Sequence, residues 1–233
     1  MAVAQTDYIS YDKVDERTRQ SMDRLFAAPK KNFWVRKRIF DITVSLFAVL
    51  VLLPFLTAVY ILIFIDDPHA SPIFRQKRVG RHGRVFTMYK FRTMVANAEN
   101  MKDGLAEQNE MDGPVFKFKD DPRITRIGKF LRTTSIDELL QLFNVLKGDM
   151  SLVGPRPPLI EEVALYDDYQ KLRLVVTPGL ACFWQTANDR NDISFNDWVE
   201  MDINYIETRT FWLDIKIIFL TAKSIIIPDK NAY

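Results

Sequence analysis

Four consecutive residues, Ser135, Ile136, Asp137 and Glu138, set adjacent carboxylates behind a hydroxyl. They open an apolar pattern with helical spacing, Ile136, Leu139, Leu140, Leu142, Phe143 and Leu146, closed by Gly148. The spacing predicts a helix over 136–146. One reading of its first turn is a capping box, in which the Ser135 hydroxyl accepts from the third residue and Glu138 reaches back to the Ser135 N–H. The other reading is chemical. Adjacent carboxylates at a positive helix end can hold a divalent cation. Asp120, Asp121, Arg123, Arg126, Lys129 and Arg132 precede the dyad and Gly154-Pro155-Arg156-Pro157 follows it, a supply of guanidiniums able to grip phosphate oxygens in pairs. An ionised carboxylate in that setting could attack phosphorus and form an aspartyl phosphate. For any single basic residue, a solvated face or a lipid-headgroup contact is an equal explanation.

Other chemistries lack their parts. There is no GxGxxG and no GxxxxGK[ST], so neither a Rossmann dinucleotide cradle nor a P-loop is present. His69 and His82 are the only histidines, without HExxH or GxSxG, which leaves little for a zinc site or a serine-hydrolase triad. The single cysteine, Cys182, cannot form an internal disulfide, which points to a reducing compartment.

The elements that must position this chemistry begin with an anchor. The 233 residues are 48% hydrophobic and 27% charged, enough apolar material for a packed core. Net charge is only +2, yet the segment from Lys30 to Arg92 carries twelve basic residues against three acidic ones, the signature of an anionic partner such as a membrane surface or phosphates. Within it, the uncharged run from Ile42 to Ile65 would reach about 36 Å as a helix, against about 30 Å of hydrocarbon. Basic residues flank the run on both sides, so the positive-inside rule draws both ends to the cytoplasm, which one crossing cannot satisfy. Pro54 in its middle removes a backbone hydrogen bond. A re-entrant helix broken at Leu53-Pro54 reconciles these facts, with a plain kinked transmembrane anchor as the competing reading.

Residues 1–29 are polar, lack the features of a signal peptide, and are expected to form an arm with a short helix from Asp15 to Ala28. Ile73–Gln76 and Val85–Phe91 read as strands around a turn at Gly80–Gly83, and Ala96–Asp112 as helix plus loop. Pro155, Pro157 and Pro158 enforce an extended loop. Helices are expected over 159–175 and 195–208, and the apolar tail Phe211–Ile227, which carries Asp214, Lys216 and Lys223, as a helix at the interface or packed on the domain.

Several of these segments together resemble the monotopic phosphoglycosyl transferases of bacteria. The resemblance rests on Lys37-Arg38-Ile39-Phe40-Asp41 ahead of the apolar run, on FRQKRVGRHGRVFTMYKFRTM (Phe74 to Met94), on DPRITRIGKFLRTTSIDELLQLFNVLKGDMSLVGPRP (Asp121 to Pro157) and on Thr177-Pro178-Gly179. It implies transfer of a sugar 1-phosphate from a UDP-sugar to a polyprenyl phosphate, with Mg²⁺, at the cytoplasmic face of the bacterial inner membrane, in exopolysaccharide and glycoconjugate assembly. It further implies Asp137 as the nucleophile that releases UMP, and Glu138 as metal ligand alongside Asp137. Arg156 would contact phosphates or the nucleotide, with Lys90, Arg92, Arg123, Arg126 and Arg190 as further candidates. The family's anchor is also a re-entrant helix broken at proline. Two departures stand out: Leu53 replaces the serine that often precedes the breaking proline, and Asp189 stands where the family pattern has a glycine, in the Trp184–Asn191 segment.

The expectation is therefore an α/β, mostly helical, membrane-associated enzyme: arm 1–29, re-entrant helix 30–67 and catalytic domain 68–233 with interfacial helices. Anionic lipid headgroups are expected partners, a homo-oligomer is compatible, and nothing points to a nucleic acid. A catalytically silent membrane scaffold, or a transferase whose substrates react directly without a covalent step, are the alternatives.

Overall fold

A computed structural model describes residues 9, 13–26, 32–98, 100–101, 113–115, 118, 121–186 and 193–226. Helices α1 (Glu16–Phe26) and α2 (Phe33–Asp66) lead into an antiparallel hairpin of β1 (Ile73–Val79) and β2 (Val85–Phe91). Then come α3 (Arg126–Thr133), α4 (Gln141–Lys147), β3 (Ser151–Val153), α5 (Ile160–Ala164), α6 (Asp168–Lys171), β4 (Gly179–Ala181), α7 (Phe195–Thr208) and α8 (Phe211–Ile226). Among the described residues the protein is mostly helical with two small sheets. The second sheet pairs β3 parallel to β4, Ser151 opposite Gly179 and Val153 opposite Ala181. Its crossing admits no side chain, because a Cβ on Gly179 would stand 2.0 Å from the Gly154 nitrogen.

The apolar run forms most of α2, a helix of 34 residues and, by length and composition, one able to cross a membrane. It continues through Pro54 as one element, so the break expected at Leu53-Pro54 does not interrupt the helix. The proline cannot donate to the Leu50 carbonyl, and the Thr57 hydroxyl donates to the Leu53 carbonyl one turn back at 2.9 Å. One stripe of α2, Lys37, Asp41, Ser45, Val49, Leu56, Val59 and Ile63, is buried against the rest of the fold. The opposite face exposes Phe47, Leu50, Val51, Leu53, Ile61 and Phe64. That is an apolar surface out of keeping with water.

Both halves of α2 dock on the same folded body. Near its start, Lys37 Nζ donates to Asp214 Oδ2 of α8 at 2.6 Å, Arg38 donates to the Val145 and Leu146 carbonyls at 2.6 and 2.8 Å, and Asp41 accepts the Leu152 N–H at 3.1 Å. Near its end, Leu56, Val59 and Ile63 pack with Phe91, Leu131 and Leu140, and Arg92 pairs with Asp67 at 2.8 Å. A larger core joins α1, the first half of α2, β2, α4, β3, α7 and α8.

The arm does fold as a helix close to its expected bounds, and it is part of the core: Met22 and Leu25 are buried, and Arg24 pairs with Glu207 of α7. The hairpin forms as expected, with β1 three residues longer. The α7 bounds match the expectation. The tail helix α8 packs inward through Asp214 and Ile217, while Trp212 and Phe219 stay 76% and 75% exposed. The helix expected over 159–175 is instead two short helices and a 3-10 turn (Leu172–Val175), because Asp167 caps α6 by accepting the Gln170 N–H at 2.7 Å. Most of the segment expected as helix plus loop after Ala96 lies outside the described residues; 96–98 and 100–101 are turns.

Candidate active site

The dyad is held by a hinge between two helices. Thr125 caps α3 by accepting the Gly128 N–H at 2.9 Å, and Gly128 lies so close to Thr93 that a Cβ there would fall 1.9 Å from the Thr93 carbonyl oxygen. The chain then turns at Ser135, which is left-handed at φ 54°, and enters a 3-10 turn over Ile136–Glu138 before α4 starts at Gln141. This corrects two expectations. Ser135 makes no side-chain cap, and the 136–146 helix is a 3-10 turn followed by a seven-residue helix. The carboxylates sit at a strained corner, so neither a capping box nor a long helix's dipole accounts for them.

A side-chain amide registers that corner against the hairpin. Strand β2 uses one edge to pair with β1, and Asn144 of α4, fully buried, satisfies the other: it accepts the Tyr89 N–H at 3.1 Å and donates to the Thr87 carbonyl at 2.7 Å. This places Lys90 beside the dyad. Lys90 Nζ lies 2.6 Å from Glu138 Oε1.

The two carboxylates differ chemically. Burial pushes the Asp137 carboxyl up to about 6; the charge of Lys90 works against this, the adjacent Glu138 charge adds to it, and Arg132 opposes it. Burial also acts to raise Glu138, yet the Lys90 ion pair, with Arg156 and Arg78, holds it below its ordinary value. Glu138 is thus a firmly ionised group. Asp137 is mostly ionised at neutral pH but poorly solvated and more basic than a free aspartate, as suits an attacking carboxylate.

Of the expected site residues, Asp137, Glu138, Lys90 and Arg156 are brought into one electrostatic cluster. Arg156 also reaches Glu162 at 3.4 Å and lies 5.9 Å from the Trp198 ring centre. Arg92 is engaged with Asp67 at the end of α2, and Arg123 forks onto Asp121 at 2.6–3.2 Å and donates to the Ala98 carbonyl. Arg126 is exposed at the first turn of α3. Arg190, Asp189 and Asp120 lie outside the described residues. Clefts of about 410 and 460 Å³ lie on the α6–α7 face and share no lining residue with the dyad.

Sequence reasoning counted Arg132 only within the basic supply ahead of the dyad, and it passed over Arg78. Arg132, whose Nε donates to Thr93 Oγ1 at 2.9 Å, interacts electrostatically with Asp137. Arg78 is buried, where the charge of Arg156 acts against its own and that of Glu138 acts with it. The alternation of β1, which puts Phe74, Gln76 and Arg78 on one face, was the available signal for Arg78.

Asp137 and Glu138 offer hard oxygen donors, and Mg²⁺ is commonly bound by one or two carboxylates plus substrate phosphates. Among the described residues no group of three His, Cys, Asp or Glu side chains adds to them. The residues present fit a cation shared with substrate, and do not fit a cage built wholly by protein.

The profile of the family described as bacterial sugar transferase matches residues 32–228. The chain is 42% identical to the galactosyl transferase CpsE of Streptococcus agalactiae over 225 residues, 94% of this chain and 50% of that protein. It is also 42% identical to the undecaprenyl-phosphate galactose phosphotransferase of Salmonella typhimurium, over 83% of this chain and 41% of that one. The undecaprenyl-phosphate glucose phosphotransferase of Komagataeibacter xylinus is 38% identical, over 85% of this chain and 37% of its own length. The chain thus spans half or less of the length of these relatives.

Proposed function

Since the chain belongs to the bacterial sugar transferase family, we propose that it moves a hexose 1-phosphate from a UDP-sugar to a membrane polyprenyl phosphate through a covalent intermediate on Asp137. The observation that carries this reading is the Asp137–Glu138 corner with Lys90 and Arg132 around it. An Asp137 carboxylate oxygen attacks the sugar-side phosphorus of the diphosphate; the bond from that phosphorus to the bridging oxygen breaks, and UMP leaves with the oxygen. A phosphate oxygen of the polyprenyl carrier then attacks the same phosphorus, returning Asp137 as a carboxylate and giving a polyprenyl diphosphate sugar. Lys90 keeps Glu138 ionised and oriented, while Arg132 and Arg156 supply positive charge to the phosphoryl oxygens. Mg²⁺ bound by Asp137 and Glu138 would neutralise diphosphate charge. The relatives' names support galactose or glucose as the first sugars to try.

The test uses UDP-galactose and UDP-glucose labelled in the sugar-side phosphate, without acceptor. Label should stay on the chain, be released by hydroxylamine as an acyl phosphate is, and appear in lipid once polyprenyl phosphate is added, with stoichiometric UMP. Rapid-quench experiments that trap no adduct while lipid product still forms would replace the covalent route by direct transfer.

The docking of both halves of α2 on one body supports an anchor that enters and leaves the same leaflet, and its basic flanks favour the cytoplasmic one. Single cysteines at Val35 and Ser71, at either end of the anchor, should both react with an impermeant thiol reagent from the cytoplasmic side of sealed vesicles. Labelling from opposite sides would replace the re-entrant anchor by a transmembrane one.

A further inference from the structure

Arg156 sits in a loop with unusual constraints. Pro155, Pro157 and Pro158 have no N–H to donate, so the loop must be shaped by what its carbonyls meet. On the upstream side β4 supplies the contacts: the Gly179 N–H donates to the Pro155 carbonyl at 2.9 Å, and the Gly154 N–H to the Ala181 carbonyl at 3.1 Å. On the downstream side the contacts come from β1. The Val79 N–H donates to the Pro158 carbonyl at 2.9 Å, and Arg78 Nη1 donates to the Pro157 carbonyl at 3.0 Å.

Arg78 is a costly residue to use for this. Its side chain is 7% exposed and, among the described residues, makes no ion pair with a carboxylate; its other nitrogens donate to Gln76 Oε1 at 3.0 and 2.6 Å. A buried guanidinium that donates to neutral oxygens, with the charge of Arg156 acting against it, sacrifices solvation. The fork is nevertheless well suited to one task. Gln76 fixes the plane of the guanidinium from the same strand face, so that Nη1 meets the carbonyl immediately after Arg156 in one orientation.

Building on the transferase reading above, we propose that Arg78 is a positioning residue for the donor phosphates: by holding the Pro157 carbonyl it fixes Arg156 in front of the Asp137–Glu138 corner. The strand thereby sets the reach between the attacking carboxylate and the cation that receives the phosphoryl oxygens. Arg78 acts through Arg156, and its effect vanishes when Arg156 is gone.

The test is a double-mutant cycle on the full chain in membranes, following UMP release from the UDP-sugar that the wild type accepts. Arg78→Met should lower kcat/KM by roughly ten- to a hundredfold, Arg156→Met by at least as much, and the double variant should fall within about twofold of Arg156→Met alone. Arg78→Lys should recover only part of the loss, since an ammonium can reach Pro157 but cannot fork onto Gln76. Gln76→Leu, which leaves the Arg78 charge in place, should show a smaller loss that also disappears in the Arg156→Met background. Multiplying losses in the Arg78/Arg156 cycle, as a general folding defect gives, would overturn the assignment; should Arg78→Met not accumulate as folded protein, multiplying losses in the Gln76 cycle would do so. A wild-type chain that releases no UMP from any UDP-sugar would instead sink the transferase reading itself.

Discussion

An Asp137→Asn variant is expected to lose at least about 10³-fold in turnover while becoming harder to unfold at neutral pH. The loss follows from the chemistry: asparagine keeps the shape and part of the hydrogen bonding but offers no anionic oxygen to phosphorus. The stability gain follows from the environment. Asp137 is 7% exposed and its carboxyl is raised from 3.8 to about 6, chiefly by burial. A group raised on folding leaves the native state at full strength below its unfolded value and weakens it as pH climbs through its folded value. Between about pH 4 and pH 6 the charge is therefore progressively forced on a site that resists it, and at pH 7.5 the whole penalty is present. Asparagine removes that penalty. Thermal melts in detergent should show the variant a few degrees above wild type at pH 7.5, converging toward pH 4. Appreciable turnover in the variant would take the nucleophile role away from Asp137. A melting difference that grew as the pH fell would contradict the burial account.

The second large effect concerns a buried ion pair that joins α7 to the 3-10 turn Leu172–Val175. Arg173 and Asp202 form an ion pair at 2.6 Å with side chains only 2% and 1% exposed, and Arg173 also donates to the Tyr166 hydroxyl at 3.0 Å. Replacing Arg173 by Met leaves the Asp202 charge buried with no cation beside it and should cost about 3–5 kcal/mol, enough to deplete folded protein in membranes. Removing both charges together, as Arg173→Met with Asp202→Leu, should recover most of that loss, because the unmatched charge and not the missing attraction dominates. Urea or thermal unfolding of the purified variants decides. A single variant that melts like wild type would show that water reaches the pair.

Much of this arrangement is legible in the sequence, and the parts that are not have identifiable causes. The anchor, the hairpin and α7 are written in long periodic patterns, and the dyad stands out through a long motif. Ser135 misleads because Ser-x-x-Glu is the same string whether the serine caps a helix or sits left-handed at a corner, and the apolar spacing from Ile136 to Leu146 survives a 3-10 turn. The parallel pair β3–β4 is three residues per strand, too short for alternation to register. Arg78 is hidden among Arg75, Lys77, Arg81 and Arg84, and only strand alternation separates it from them. Asn144 reads as a polar interruption of an apolar helix face, with nothing local to say that it completes the edge of β2.

The double attachment of α2 reaches beyond topology. With its start tied to Asp214 and its end to Arg92, α2 is held against the body at both ends, so in the proposed anchor the height of Asp137 above the lipid core would be set by the protein's own architecture. On the proposed reading, a carrier lipid would find the enzyme by sliding sideways within one leaflet. On that view the supply of carrier per unit of membrane area, and not its amount per unit volume, governs how often the acceptor meets the charged enzyme.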